Sequence, residues 1–181
     1  MDLLDFSVNE MYFDRPLPPA VSRLIDAASA RYGEDCDDAE RCLLRAQLLA
    51  PDNLTVLVAL YRFYFYRQRY AETLAVADRC IVIAADELGI PTDWQALGAA
   101  ELSHAVGQSM TLTRFLLLAL KGAGYVLMRM DRPADALARL ERIADFDERD
   151  RLGLSELLSW ARNAARRDEV RALGDNVRFI H

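Results

Sequence analysis

Apolar residues recur along most of this chain at intervals of three and four positions, which is the spacing of one face of an α-helix. In the first such segment, Val21, Leu24, Ile25 and Ala28 fall on one side. No segment alternates apolar and polar residues in the period of two that is typical of strands. The pattern therefore predicts an all-α protein. The predicted helices run over about 18–32, 35–49, 54–67, 70–88, 94–106, 112–130, 133–146, 152–166 and 168–173.

Proline, glycine and short polar residues mark where these helices stop and start. The segment 50–53 (Ala-Pro-Asp-Asn) ends one helix and caps the next, because proline cannot continue a helix and Asp or Asn accepts the free N–H groups of a first turn. Asp35 or Asp37 is expected to cap the second helix, and residues 89–93 form another stop-and-cap signal. The short links predict antiparallel neighbouring helices.

Similar small residues recur at a fixed distance inside these helix pairs. Ala39 and Thr73 occupy matching positions 34 residues apart. Ala136 follows Thr73 after 63 residues, which is one such period and about 29 residues more. The additional piece contains Trp94 to Gly98 and predicts one irregular helix between two regular pairs. Three helix pairs are therefore expected, the last two separated by this insertion.

This pattern resembles the tetratricopeptide repeat (TPR) family over roughly residues 20–148. That repeat is about 34 residues long, with W-x2-L-G-x2-Y on its first helix and A-x3-F, followed by P, on and after its second. Arg23 replaces the first aromatic residue of the motif, and Ala85 and Glu148 replace prolines. The residues that carry the resemblance are Ala39, Leu43, Ala46, Pro51, Leu57, Leu60, Tyr61, Tyr64, Leu120, Ala123, Gly124, Leu127, Ala136, Leu137 and Leu140.

The resemblance implies antiparallel helix pairs stacked as a short right-handed α-α superhelix. On that basis we divide the chain into an N-terminal arm (1–19), TPR-like repeats (20–148) with an irregular helix near 92–106, and C-terminal capping helices (149–181). The arm has apolar residues between Leu3 and Phe13. Two roles stay open for it. It covers the groove or crosses to a second protomer, or it packs on its own first helices as a cap.

The resemblance also implies a binding site, because the first helices of TPR pairs line a concave groove that receives a peptide or helix. The residues expected to face this groove are Arg31, Thr55, Val58, Arg62, Phe65, Leu118, Lys121, Tyr125 and Met128. Such a surface is apolar and aromatic with a few cations, and it suits an amphipathic helix or an extended hydrophobic segment. The alternative is that several of these side chains pack internally against the irregular helix.

Composition limits the other ligand classes. The net charge of −6 argues against binding that is driven by nucleic-acid or membrane phosphates. Aromatics alternate with arginines over residues 61–70, but Tyr61 and Tyr64 already have packing positions in the repeat. The apolar run 115–128 is interrupted by Lys121 and is shorter than the roughly 20 residues of a membrane-spanning helix. We therefore expect neither nucleic acid nor membrane as a partner.

The N-terminal residues lack the basic start and long apolar stretch of a signal peptide, so we expect a cytoplasmic protein. Lys121 is the only lysine among 22 basic residues, and we interpret this as the bias of a bacterial genome. Cys36, Cys42 and Cys80 are odd in number and lack CxxC spacing, so each is expected to pack as a small apolar residue.

The motifs of catalysis are missing from the sequence. Ser103 and His104 are adjacent on a predicted helix and therefore point in different directions, which excludes a nucleophile–base pair. No Gly-rich phosphate loop, HExxH motif or EF-hand spacing occurs. We expect no catalytic residue, no cofactor and no metal.

Three functions remain. The first is a non-catalytic adaptor or assembly factor that binds a peptide or helix of a partner protein in its concave groove. The second is a dedicated TPR chaperone of a bacterial secretion system, which would hold a hydrophobic client segment. The third is a structural subunit that buries its groove by forming a homodimer.

Overall fold

The computed structural model describes residues 16–33, 35–147 and 149–175. Over these ranges the chain forms eight α-helices and one 3-10 turn, with no strand, so the predicted all-helical class is confirmed for this part of the chain. The α-helices are α1 (Pro19–Arg31), α2 (Cys36–Leu49), α3 (Leu54–Tyr66), α4 (Tyr70–Glu87), α5 (Ala99–Gln108), α6 (Met110–Arg129), α7 (Pro133–Ala144) and α8 (Ser155–Asp175).

In α2, α3 and α6 the side chain of the N-cap residue itself accepts a hydrogen bond from the first turn. The Asp35 carboxylate accepts from the amide of Asp38 (3.0 Å) at the start of α2. Asn53 accepts from the amides of Thr55 (3.0 Å) and Val56 (3.3 Å) at the start of α3. The Ser109 hydroxyl accepts from Leu112 N–H (3.2 Å) at the start of α6. Each oxygen satisfies N–H groups that a first turn leaves without an intrahelical partner, which explains why these helices begin where they do.

Two helix-to-helix turns have the same geometry. Gln68 joins α3 to α4 with φ 57°, and Asp131 joins α6 to α7 with φ 56°. The amide that follows each of them donates to the carbonyl five residues back, at 2.9 Å and 3.0 Å respectively, as in a Schellman motif. Five positions after each turn residue lies a fully buried small residue, Thr73 or Ala136. The 63-residue spacing read from the sequence is therefore also present in the backbone.

Each of the two turns is followed by an ion pair of the same kind. Arg69 contacts Glu72 at 2.8 Å, and Arg132 contacts Asp135 at 2.7 Å. Both pairs join a residue just before a helix to one in its first turn. An acidic side chain in that turn also faces the positive end of the helix dipole, which stabilises the helix start.

Helix packing follows the order of the chain. Three antiparallel pairs are formed by α1 with α2, α3 with α4, and α6 with α7. Successive pairs meet through α2–α3 and α4–α6, and α8 packs on α7. Buried apolar side chains from these elements form one continuous core. Close approach requires small residues, and a Cβ built on Gly124 of α6 would lie 2.9 Å from Leu140 of α7.

The irregular segment near 92–106 differs from the single helix expected there. Trp94–Ala96 is a 3-10 turn, Leu97 and Gly98 are extended, and α5 then runs from Ala99 to Gln108. Leu97 is 1% exposed, so its burial fixes the extended stretch. The Glu101 carboxylate accepts from Gly98 N–H (2.9 Å) and so caps the start of α5.

The C-terminal segment also differs from expectation. Two capping helices were predicted after residue 149, whereas α8 is one helix from Ser155 to Asp175. Residues 166–168 (Arg-Arg-Asp) contain neither proline nor glycine, so nothing in the backbone stops the helix there. Most of the predicted N-terminal arm, residues 1–15, and residues 176–181 lie outside the described part of the chain.

One described helix, α6, is long and apolar enough to cross a membrane by length and composition alone. It is 20 residues long and extends beyond the apolar run 115–128 at both ends. More than half of its apolar window is buried inside the protein, against α4 and α7. A helix that is buried in this way packs as part of the protein core.

Candidate functional site

An open groove of about 520 Å³ lies between α1 and α3. Its floor is apolar, and Arg62 and Asp26 bring charge to its edges. The residues that line it are Ile25, Asp26, Ala28, Ser29, Tyr32, Leu43, Thr55, Val58, Ala59, Arg62, Phe63 and Tyr66. Both long walls are therefore first helices of a pair, whereas the predicted groove also extended along α6, which does not line this one.

Three of the predicted groove residues come together here. Thr55, Val58 and Arg62 are spaced three and four apart, so they form one stripe along α3. Val58 is 2% exposed and forms part of the floor, whereas Thr55 and Arg62 are half-buried at its sides. The cap at Asn53 fixes the first turn of α3 and so sets the direction of this stripe.

Aromatic side chains form the far end of the groove. Tyr32, just after α1, packs edge-on against Phe63 of α3, with ring centroids 5.8 Å apart. Burial raises the pKa of the Tyr32 phenol, and the nearby Arg67 opposes this shift. Tyr32 and Tyr66 remain 37% and 55% exposed, so this end offers aromatic surface to a ligand. The positive charge of Arg67 lies near that surface.

Arg31 lies outside the groove. Its guanidinium donates to the carbonyl of Ala27 (3.2 Å) and pairs with Asp38 of α2 (2.5 Å). The side chain therefore joins the two helices of the first pair instead of facing α3.

Phe65 and Tyr125 lie in a separate aromatic cluster, which we define as Tyr61, Phe65, Tyr125 and Trp160. The rings of Tyr61 and Phe65 are stacked with centroids 5.9 Å apart, and Phe65 contacts Tyr125 at 6.0 Å. Tyr125 in turn meets Trp160 of α8 edge-on at 6.1 Å. The cluster links α3, α6 and α8, so Phe65 and Tyr125 contact other helices of the protein instead of lining the groove.

The remaining predicted residues of α6 serve packing. The Lys121 ammonium group donates to the Leu152 carbonyl and so holds the loop before α8. Its partial burial lowers the pKa of Lys121, while Asp150 and Asp147 oppose that shift. Met128 is 8% exposed in the core, and Leu118 is half-buried against the core. These side chains therefore pack internally, but the contact of Lys121 is with the loop before α8 and not with the irregular segment near 92–106 that the alternative named.

Sequence reasoning missed several groove residues, among them Ile25, Tyr32, Ala59 and Tyr66. Ile25 was assigned to the apolar face of the first helix, and Tyr32 lies two turns after it. Their spacing of seven residues could have indicated that Ile25 and Tyr32 lie on the same face of the first helix.

A second concavity, of about 620 Å³, lies between α5, α6 and the loop after α7. Its lining includes Asp147, but both carboxylate oxygens of Asp147 already accept the amides of Arg151 (2.8 Å) and Leu152 (2.7 Å). Both oxygens of this carboxylate therefore already bind amides of the loop before α8. Ser103 also lines the concavity, and the neighbouring His104 is exposed.

Reactive groups are few in the part of the chain that the structure describes. Within it, no group of three or more His, Cys, Asp or Glu side chains could hold a metal ion. The three cysteines are free thiols, and burial raises the pKa of Cys80 to about 12. Such a thiol is not a nucleophile near neutral pH.

Fold and site together define an all-helical protein with an open apolar groove between two helices. No family model matches the chain, and no solved structure matches it. A protein of Azotobacter chroococcum mcd 1, described as an uncharacterized 19.8 kDa protein in the nifW 5' region, is 43% identical over 158 residues. The match covers 87% of each chain. The present chain belongs to the same family as that protein.

Proposed function

We propose that this chain is a non-catalytic, TPR-like adaptor or assembly factor of the bacterial cytoplasm. Its helix pairs would stack as a short right-handed superhelix. Two observations support the repeat: the matching turns at Gln68 and Asp131, and packing that follows chain order from pair to pair. Packing between sequence neighbours is characteristic of solenoids, in which each repeat contacts mainly the next.

The proposed binding site is the groove between α1 and α3, and the open apolar floor of this groove carries the proposal. Its volume of about 520 Å³ is in the range of ordinary ligand pockets, about 300–1,000 Å³. An amphipathic helix or extended segment could place apolar side chains on Val58 and Ala59 and an acidic side chain near Arg62. The groove would thus recognise a partner protein by apolar anchors and one favourable charge.

The name of the relative indicates where to look for a client. It locates that protein's gene in the 5' region of nifW. We therefore propose, as first candidates, the product of nifW and the products of the genes beside it in the host of this chain.

Ala59→Arg tests the groove directly. Ala59 is half-buried in the lining, and an arginine there would project into the groove while its charged end reaches water. Ala75→Arg is the matched control, because Ala75 is exposed on α4 outside the lining. Both changes replace one good helix former by another, so helicity should be unchanged.

The experiment measures capture of each purified candidate by the tagged chain, with isothermal titration for any that binds. We expect Ala59→Arg to weaken binding by about tenfold or more, or about 1.4 kcal/mol, with no change for Ala75→Arg. Equal binding by wild type and a folded Ala59→Arg variant would refute the groove as the site.

A further inference from the structure

We propose that the second concavity, between α5, α6 and the loop that joins α7 to α8, binds a small organic acid with an apolar chain and a single carboxylate. This site is separate from the groove between α1 and α3, so the inference goes beyond the proposed function and does not depend on it. The volume of about 620 Å³ exceeds that of the groove. It also falls within the usual range of ligand pockets, about 300–1,000 Å³.

One side of the concavity is apolar. Leu102 of α5 is 6% exposed, and Val106, one turn further along the same helix, is 41% exposed. Leu117 of α6 and Phe146 of the loop complete this surface, and both are half-buried. An alkyl chain placed on these side chains would remove apolar area of the ligand and of the protein from water, which favours binding.

Two arginines of the loop also line the concavity. The guanidinium groups of Arg149 and Arg151 take part in no ion pair or hydrogen bond within the described ranges. Asp147 is in the lining too, but each of its oxygens already accepts a backbone amide, and its charge interacts favourably with Lys121. Among the remaining charges, the two guanidinium groups outnumber the exposed carboxylate of Asp145. The excess of positive charge suits a ligand with one negative charge.

The loop that carries both arginines is held in place by polar contacts. Asp147 binds two of its amides, and the carboxylate of Asp150 accepts two more where the loop joins α8. The Lys121 ammonium group donates to the carbonyl of Leu152. These contacts fix the loop backbone before a ligand arrives, so less conformational entropy is lost on binding. The arginines therefore lie on a preorganised support.

Titration of the full-length protein with octanoate, followed by methyl NMR, tests the site. Octanoate supplies the carboxylate and an alkyl chain, and octanol is the matched neutral probe. We expect octanoate to cause saturable shifts of the methyl signals of Leu102, Val106 and Leu117, whereas Val58 in the other groove should not respond. Octanoate should bind about tenfold more tightly than octanol, which is the effect of one charge-assisted hydrogen bond.

Arginine variants test the carboxylate contact. Arg149→Gln together with Arg151→Gln should weaken octanoate binding by about tenfold or more and leave octanol binding unchanged. Arg45→Gln together with Arg166→Gln is the matched control, because it removes the same charge from exposed positions outside the lining. This control should bind both probes like the wild type.

A change on the apolar side tests the second contact. Val106→Asp should greatly weaken binding of both probes, because it puts a charged group where the alkyl chain would lie. Met110→Asp introduces the same charge at a position that is 64% exposed and outside the lining, and it should leave binding unchanged. Circular dichroism checks that each variant keeps the helicity of the wild type.

Several results would overturn the inference. Octanoate that causes no saturable shift, or shifts centred on Val58, would mean that the concavity is not the site. Equal affinity for octanoate and octanol, or wild-type octanoate binding by the folded double arginine variant, would mean that the arginines do not bind the carboxylate. None of these results bears on the proposed function, which is tested at Ala59 with protein clients.

Discussion

Replacement of Gly124 by alanine should destabilise the protein, although the same change in most helices stabilises it. Gly124 lies on α6, where its missing side chain lets α7 approach closely. A Cβ at this position would lie 2.9 Å from both the Cγ and one Cδ of Leu140. Ordinary carbon–carbon contacts are about 3.5–4.0 Å, so the helices or Leu140 must move. Leu140 is fully buried in the core.

The magnitude follows from two opposing effects. Alanine in a helix interior is favoured over glycine by about 0.8–1.0 kcal/mol. Overpacking a filled core costs about 1–3 kcal/mol. We therefore expect Gly124→Ala to lower the free energy of unfolding by about 1 kcal/mol. Gly107→Ala on α5 is the control, because nothing lies within 4 Å of its added Cβ, and it should raise that free energy by about 0.5 kcal/mol.

Urea unfolding at 25 °C, followed by circular dichroism, measures both variants. Leu140→Ala in the Gly124→Ala background should cost less than Leu140→Ala alone, since the added methyl group then has room. A Gly124→Ala protein that is as stable as Gly107→Ala would contradict the close packing of α6 on α7 and the reasoning built on it.

Three further predictions concern stability and reactivity. Glu40→Ala should lower the free energy of unfolding by about 1 kcal/mol in urea melts, because Glu40 joins α2 to Arg69 at 2.7 Å. Hydrogen bonds from the start of α8 lower the pKa of Asp150 below its ordinary 3.8, so the stability it contributes is complete above about pH 4 and is lost as pH falls through the folded-state pKa. The stability difference between wild type and Asp150→Asn should therefore shrink between pH 6 and pH 3, and a constant difference in melts at both values would contradict this. Finally, the native protein at pH 8 should show fast modification of the half-buried Cys36 by a thiol reagent, which Cys36→Ser removes, while Cys80 reacts only on unfolding.

Local chemistry explains how much of the fold could be read from the sequence. Asn53 and Asp35 cap helices because their side chains reach amides two or three residues away, and such contacts depend only on neighbouring residues. The 63-residue spacing between the turns at Gln68 and Asp131 was visible as a spacing of small residues for the same reason. Leu97 is the counterexample, because it was assigned to a helix and is extended where burial holds it.

The candidate site also has a part that local sequence could predict and a part that it could not. Periodicity along α3 was sufficient to place Thr55, Val58 and Arg62 on one stripe. It could not show that Phe65 would meet Tyr125, which is 60 residues away, or that Tyr125 would meet Trp160 on a helix outside the recognised repeats. A repeat pattern states which side of a helix faces inward, and not whether another side chain already fills that space.

The sequence by itself thus determined the all-helical class, most helices from α1 to α7 and the caps at Asp35 and Asn53, because period, proline and capping side chains act over a few residues. Only the tertiary structure decided which part of the inner wall stays open. That outcome depends on contacts between distant helices: within the described ranges, Phe65, Tyr125 and Lys121 contact other side chains or the backbone of the protein, and the groove beside α1 is open.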